Sequence, residues 1–236
     1  GLDLEASVDG FPTASLERYW PADVAQHARD WVMANIKGGG VSDVKLQAKV
    51  TPAMLAGGEV PENAAALDFR FTGLGAVYLP QLPPLEGVNG SAHLTAKAFD
   101  LQADTGHVGD LVVSDGKVRI TDFDKADQIA NISLVVSGPA SAALGLLDHK
   151  PLGFVSRLGL DPGKVGGLSA TRARFTFPLR HDLTVNQLQV VAASNLRDIA
   201  ISGIFNRYNL TNGDLSLRVD RERMEVSGKV AVQGVP

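Results

Sequence analysis

The chain has 236 residues, 44% of them apolar and 20% charged, a composition that supports a hydrophobic core and argues against extensive disorder. The net charge of −4 argues against nucleic acid as a partner, and the absence of cysteine excludes disulfides, thiolate metal ligands and a cysteine nucleophile. No apolar run reaches the roughly 18 residues of a membrane-spanning helix. Because the sequence starts with glycine and already alternates there, we interpret it as a segment of a longer protein.

A helix–strand unit is predicted over residues 19–50. Its helix covers residues 21–36, with a proline in the first turn and three consecutive glycines after the end. From residue 41 the apolar period changes to two, which predicts a strand up to residue 50. The apolar residues expected on one face of the helix are Val24, Ala28, Trp31, Val32 and Ile36.

A first block of strands is predicted over residues 63–137. Asp115-Gly116 lies between alternating apolar residues, which is typical of a hairpin turn. Thr105-Gly106 is interpreted as another turn, and Asn212-Gly213 as a third one later in the chain. A change of parity near Ala98 and Phe99 indicates a bulge or a bend.

A short helical insert is predicted over residues 138–162, with helices at 139–147 and 152–160, and a second block of strands over residues 166–236. Strands recurring about every ten residues predict an antiparallel meander. The predicted fold class is therefore mainly β: one curled antiparallel β-sheet, shaped as a trough or half-barrel, with an amphipathic helix near the N-terminus and one or two short helices in mid-chain. Residues 1–236 would form a single β-rich segment.

The residue types used in catalysis and metal binding are not arranged in a recognisable motif. None of the five histidines pairs with another at a metal-binding spacing, and Ser169 lacks the second glycine of a nucleophile elbow, so it is interpreted as a strand residue. Asp122, Asp124 and Asp127 resemble half of a calcium loop but lack its downstream glycine and glutamate, so we interpret them as a solvated turn. We expect no enzyme activity, no metal and no cofactor. A hydrolase would require a serine or aspartate brought next to His149 or His181 by the fold.

The predicted helices are too few for the predicted sheet. A helix is about 10 Å wide and strands lie about 4.8 Å apart, so one helix covers about two of roughly a dozen strands. Two alternatives remain for the rest of the apolar face. The sheet closes on itself as a barrel or sandwich, or it curls into a trough whose apolar interior holds a ligand with long hydrocarbon tails.

Several phrases of the sequence resemble the central region of AsmA-like proteins of the YhdP type. These phrases are Trp20-Pro21 with Trp31-Val32 and Asn35-Ile36, then Tyr78-Leu79-Pro80-x-Leu82-Pro83-Pro84, Gly138-Pro139 before Ala143-Leu144-x-Leu146-Leu147-Asp148, and the closing stretch from Gly228 to Gly234-Val235-Pro236. The resemblance covers nearly the whole chain. It includes no catalytic signature and no membrane anchor.

The resemblance implies a Gram-negative envelope protein that is anchored in the inner membrane and extends through the periplasm. Such proteins are implicated in moving phospholipid to the outer membrane and in its permeability barrier. Their architecture is a curled β-sheet with a hydrophobic groove, similar to the bridge-like lipid transfer proteins of eukaryotes. The implied partners are a phospholipid or other long-chain lipid and the rest of the parent chain, which would continue the groove.

The predicted function is therefore that of a segment of a periplasmic phospholipid transport protein, which holds acyl chains in a hydrophobic β-groove. The alternative is a closed β-sandwich or barrel that serves as a scaffold or protein-interaction module of the cell envelope without lipid cargo. The residues expected to line the groove are Leu94, Leu101, Leu111, Val113, Val118, Ile120, Leu134, Val136, Phe175, Phe177, Leu215, Leu217, Val230 and Val232.

Overall fold

The fold is one open antiparallel sheet, seen in a computed structural model that describes residues 1–22, 25–57, 60–79, 81–121, 128–150, 154–157, 159–179, 187–204 and 208–233. Twelve strands build it: β1 (Leu2–Pro12), β2 (Ile36–Lys37), β3 (Gly40–Val50), β4 (Ala65–Ala76), β5 (Leu85–Thr95), β6 (Phe99–Val108), β7 (Leu111–Thr121), β8 (Ile129–Pro139), β9 (Val165–Pro178), β10 (Gln189–Ile204), β11 (Tyr208–Val219) and β12 (Met224–Val232).

The sheet has two free edges. Its order follows the chain from β1 through β3 to β12, while the two-residue β2 pairs with β4. Within the described residues, β1 and β12 do not pair with each other. The predicted mainly-β, curled antiparallel sheet is therefore confirmed, whereas the alternative of a closed barrel is wrong.

The strands form because apolar and polar residues alternate, and the register carries this alternation across neighbouring strands. One transverse row is wholly apolar and the next is wholly polar, and they differ by a single residue in each strand. The apolar row is Ala6, Leu46, Leu67, Leu94, Phe99, Ile120, Ala130 and Phe177. The polar row is Ser7, Lys45, Asp68, His93, Asp100, Arg119, Asn131 and Thr176.

Three predicted turns lie inside strands. Asp115 and Asn212 have φ near +50°, and the register with a neighbouring strand shifts at both positions, so they form bulges in β7 and β11. Thr105 lies within β6, and the chain reverses instead at Gly109 and Asp110. The misassignment has a simple cause: Asp and Asn accept a positive φ both in hairpin turns and in bulges.

The bulge in β7 also changes which residues face the core. Leu111 and Val113 precede it and are buried, while Val118 and Ile120 follow it with the opposite parity and are partly buried. The bulge therefore keeps the apolar residues of one strand on one face while it bends the strand. At the predicted parity change near Ala98, the structure has a tight turn between β5 and β6.

In the part of the chain that the structure describes, five short α-helices accompany the sheet: α1 (Leu16–Tyr19), α2 (Gln26–Asn35), α3 (Pro52–Leu55), α4 (Ala140–Asp148) and α5 (Phe154–Arg157). Of the helix predicted over residues 21–36, Gln26–Asn35 are helical, Ile36 belongs to β2, and residues 23–24, with Val24, lie outside the described residues. Helix α4 confirms the helix predicted at 139–147. Of the helix predicted at 152–160, residues 154–157 are helical and residues 151–153 and 158 lie outside the described residues.

All helices except α3 branch from the same side of the sheet. We call this side the helical rim; it comprises the C-terminal ends of β1, β4, β6, β8 and β10. Helices α1 and α2 follow β1, and helices α4 and α5 follow β8. The connections therefore place most of the helical residues at one end of the strands, where they overlap only part of the sheet.

Candidate functional site: the apolar face of the sheet

The apolar face extends across the sheet without a charged side chain at any of its paired strand positions that the structure describes. Phe69 pairs with Ala92, Ala92 with Leu101, and the row continues through Val118 and Ile132. The register therefore produces a continuous hydrocarbon surface that crosses many strands, as an elongated apolar ligand would require.

The fourteen residues predicted to line a groove all lie on this face, judged by the register. Pairs such as Leu101 with Val118 and Val113 with Val136 contact each other across neighbouring strands. Toward the C-terminus, Leu215 and Leu217 pair with Leu196 and Ser194 of β10. The remaining members are Leu94, Leu111, Ile120, Leu134, Phe175, Phe177, Val230 and Val232.

These residues differ in how far the protein itself covers them. Leu111 is 1% exposed and Val113 is also buried, whereas Val118, Val136 and Phe175 are only partly buried. Val232, near the free edge, is exposed. A ligand would therefore contact the partly buried residues directly and would reach Leu111 and Val113 only after displacing protein atoms.

Helix α4 covers one part of the face. Ala140 packs with Val165 and Ile199, and Leu144 lies against this cluster with Leu196. A second cluster forms around Phe71, Val88 and Ala92 on β4 and β5, where partly buried neighbours such as Phe69 and Leu101 surround it. These two clusters make up part of the protein's own core, and Leu111 and Val113 are buried outside them.

The accessible surface shows how incomplete this cover is. The chain exposes 15246 Å². A compact monomer of 24.9 kDa exposes about 10,200 Å² by the usual scaling of area with mass. The excess, about half as much again, means that much of the sheet lacks a second layer.

Polar groups on this face are satisfied internally. The Thr171 hydroxyl donates to Ser194 Oγ at 2.8 Å, and the Ser169 hydroxyl donates to the Gly138 carbonyl at 3.4 Å. Ser169 is a buried residue of β9, which confirms the prediction of a strand residue. The described part of the chain has no buried side-chain nitrogen or oxygen without a partner, so the face offers an apolar ligand no competing polar group.

Sequence reasoning omitted apolar residues of the same face on other strands. Leu46 and Leu67 belong to the apolar row, Phe69 pairs with Ala92 in another row of the same face, and Val190 of β10 pairs with Phe175. The alternation that identified the fourteen residues was equally visible at these positions. Including every strand of the meander would have found them.

The opposite face carries the charged residues and a cavity of about 590 Å³. His93 Nδ1 lies 2.7 Å from Asp68 Oδ1, and Arg119 Nη1 lies 3.3 Å from Asp100 Oδ1. Lys45 and Arg119 flank Asp68 and Asp100 in this row, so the charges balance, and the side chains of Asp68, His93, Asp100 and Arg119 are about half exposed. This arrangement resembles a solvated cross-strand ladder and lacks a nucleophile paired with a base.

The other polar side chains that were considered for catalysis or metal binding either have a structural role or lie outside the described residues. Asp148 accepts hydrogen bonds from the backbone N–H and the hydroxyl of Ser156, at 2.7 Å and 2.5 Å, and these bonds lower the pKa of its carboxyl. They join the end of α4 to α5. His181 and residues 122–127 lie outside the described residues. Among the residues described, no three His, Asp or Glu side chains are grouped so as to hold a metal ion.

The comparison with protein families decides the classification. Residues 1–227 match the family described as YhdP protein. This chain belongs to the YhdP family. The resemblance noted in the sequence is thereby confirmed, and the YhdP family is one of bacterial envelope proteins.

Neither of the other comparisons identifies a relative of this YhdP-family chain. No curated protein and no solved structure matches it significantly. In the described residues of this chain, no helix combines the length and the apolar character needed to cross a bilayer.

Proposed function

We propose that this YhdP-family chain is a segment of a periplasmic phospholipid transport protein whose parent is anchored in the inner membrane. The apolar face of the sheet would hold acyl chains, and the parent chain would continue the groove on either side. One observation carries the proposal: an open sheet has an uncharged apolar face that its own helices cover only in part.

The energetics favour such a cargo. Burying one methylene contributes roughly 0.8 kcal/mol, so two acyl chains bind strongly without any specific polar contact. The binding surface is built from Leu, Val, Ile, Ala and Phe side chains in repeated rows, so neighbouring positions are nearly equivalent. An acyl chain would therefore move along the face without a large barrier, while its headgroup stays in water at the open side.

A matched pair of substitutions tests this proposal. Val135 and Val136 are adjacent in β8 and point to opposite faces, since Val136 pairs with Val113 and Val135 pairs with Ser114. We expect Val136→Asp to remove co-purifying phospholipid, because a carboxylate among acyl chains is unfavourable. We expect Val135→Asp, on the polar face, to retain it. Mass spectrometry of lipid extracted from the purified chain measures both.

The test includes a second position and a folding control. Val118→Asp changes another partly buried residue of the same face, on β7 next to β8. Circular dichroism verifies that each variant keeps its β structure. Unchanged lipid content in a folded Val136→Asp or Val118→Asp variant, or no lipid in the wild-type chain, would favour the scaffold without cargo.

A further inference from the structure

The polar face of the sheet has two electrostatically different halves. On β3 to β7, cations and anions alternate, as in the row that contains Lys45, Asp68 and Arg119. Strands β8 to β11 contain four arginines and two aspartates, although the whole chain has a net charge of −4. The second half therefore stands out as basic in an acidic protein.

Three arginines of this half form one patch, which we call the arginine patch: Arg172, Arg174 and Arg218. Arg172 of β9 and Arg218 of β11 both pair with Ala193 of β10, so the two lie on either side of an alanine. Two strand spacings separate their backbones by about 10 Å. Since Arg174 is on the same face of β9, two residues further along, all three guanidinium groups can reach one bound segment.

All three arginines are exposed, and none of them forms an ion pair with another described residue. In the register, Glu225 of β12 lies opposite Arg218, and its Oε1 lies 3.2 Å from Arg223 Nη1. The three guanidinium charges therefore outnumber the one carboxylate that the register places beside them.

The floor between the arginines is apolar, and at Val191 it borders the hairpin tip that contains Asp220, Arg221 and Glu222. Val191 pairs with Arg174 and is 57% exposed, while Val135 and Ala193 pair with Arg172. Arginines around exposed small apolar side chains are the composition found in protein interfaces, and they suit carboxylates interspersed with apolar residues. A free phosphate or sulfate would use the charges but would leave the valines in water.

We propose that the arginine patch is a docking surface for an acidic segment of a partner protein, on the face opposite the one assigned to lipid. The segment would place carboxylates between Arg172 and Arg218 and apolar side chains on Val191 and Ala193. This proposal is independent of the lipid cargo, because it uses only residues of the polar face.

The experiment uses the 236-residue chain and a fluorescein-labelled peptide of four Glu-Val repeats as the probe. Fluorescence anisotropy at low ionic strength measures its affinity. We expect the double variant R172Q/R218Q to weaken binding about five- to tenfold, as loss of two exposed charge pairs implies. The control R70Q/K117Q makes the same charge change on the balanced half of the same face and is expected to change affinity by less than about twofold.

Several outcomes would overturn the proposal. Equal losses in the two double variants would mean that the peptide responds only to net charge, and absence of binding to the wild-type chain would mean that there is no such surface. Binding of vesicles that contain phosphatidylglycerol, lost in R172Q/R218Q while the peptide does not bind, would assign the patch to a membrane surface. If the double variant fails to fold, R218Q alone is compared with R70Q, and an equal affinity in those two variants also rejects the proposal.

Discussion

Helices α4 and α2 branch from the same rim of the sheet, but only α4 packs on it. Ala140 of α4 is 3% exposed and joins the cluster around Ile199, whereas α2 has no buried residue and leaves Trp31 50% exposed. Apart from its final aspartate and one serine, α4 consists of Ala, Leu and Gly, while α2 includes Gln, His, Arg, Asp and Asn. Helix α4, which is apolar over most of its surface, covers part of the sheet. Helix α2, which has only an apolar stripe, does not.

The same contrast explains where a ligand would fit. The part of the apolar face under α4 is filled by protein side chains. The part that α4 does not cover is lined by partly buried residues. Substitutions in the covered and the uncovered region should therefore have different effects.

Side chains in the region covered by α4 should contribute more to the free energy of unfolding than side chains of α2. Ile199 is 4% exposed beneath α4, so Ile199→Ala should lower the free energy of unfolding by about 2–4 kcal/mol. Trp31→Ala, which removes a larger but half-exposed side chain from α2, should lower it by about 1 kcal/mol or less. Urea denaturation followed by circular dichroism measures both values. Equal losses would mean that α2 also roofs the sheet in solution.

The continuity of the uncovered face depends on the bulge in β7. Asp115 has φ near +50°, a conformation that β-branched residues avoid, so Asp115→Val should destabilise the chain by about 1–2 kcal/mol. Asp115→Gly tolerates the same conformation and should change stability by about 0.5 kcal/mol or less. Thermal unfolding compares the two variants. If valine is tolerated as well as glycine, the bulge is not the feature that keeps Val113 and Val118 on one face.

The smallest expected effect concerns the two hydrogen bonds from Ser156 to Asp148 that join α4 and α5. Hydrogen bonds from Ser156 lower the pKa of Asp148 below its ordinary value of 3.8. Because the folded-state pKa is the lower one, this stabilisation is present above the ordinary value and is lost as the pH falls through the folded-state pKa.

Melting temperatures measured from neutral to acidic pH test how much these hydrogen bonds stabilise the fold. Asp148→Asn should melt slightly below the wild-type chain at neutral pH, and the difference should vanish as the pH falls. Ser156→Ala, which removes the hydroxyl donor, should show the same convergence. A difference that persists at the lowest pH would mean that Asp148 acts through something other than its charge.

The sequence alone establishes the class of the fold, because alternation of apolar and polar residues favours strands with one solvated face. It also establishes which side chains share that face on most strands, because every second residue of a strand lies on the same side of the sheet. The family could be recognised in the same way, from phrases spread over nearly the whole chain.

Only the tertiary structure decided whether the sheet closes, which helix covers it, and where the chain turns. Closure depends on whether β1 meets β12, and these strands are separated by almost the entire chain. The bulges at Asp115 and Asn212 resemble hairpin turns locally, and only the register with neighbouring strands distinguishes the two. The arginine patch was equally hidden, because Arg172 and Arg218 become neighbours only when β10 places Ala193 between them.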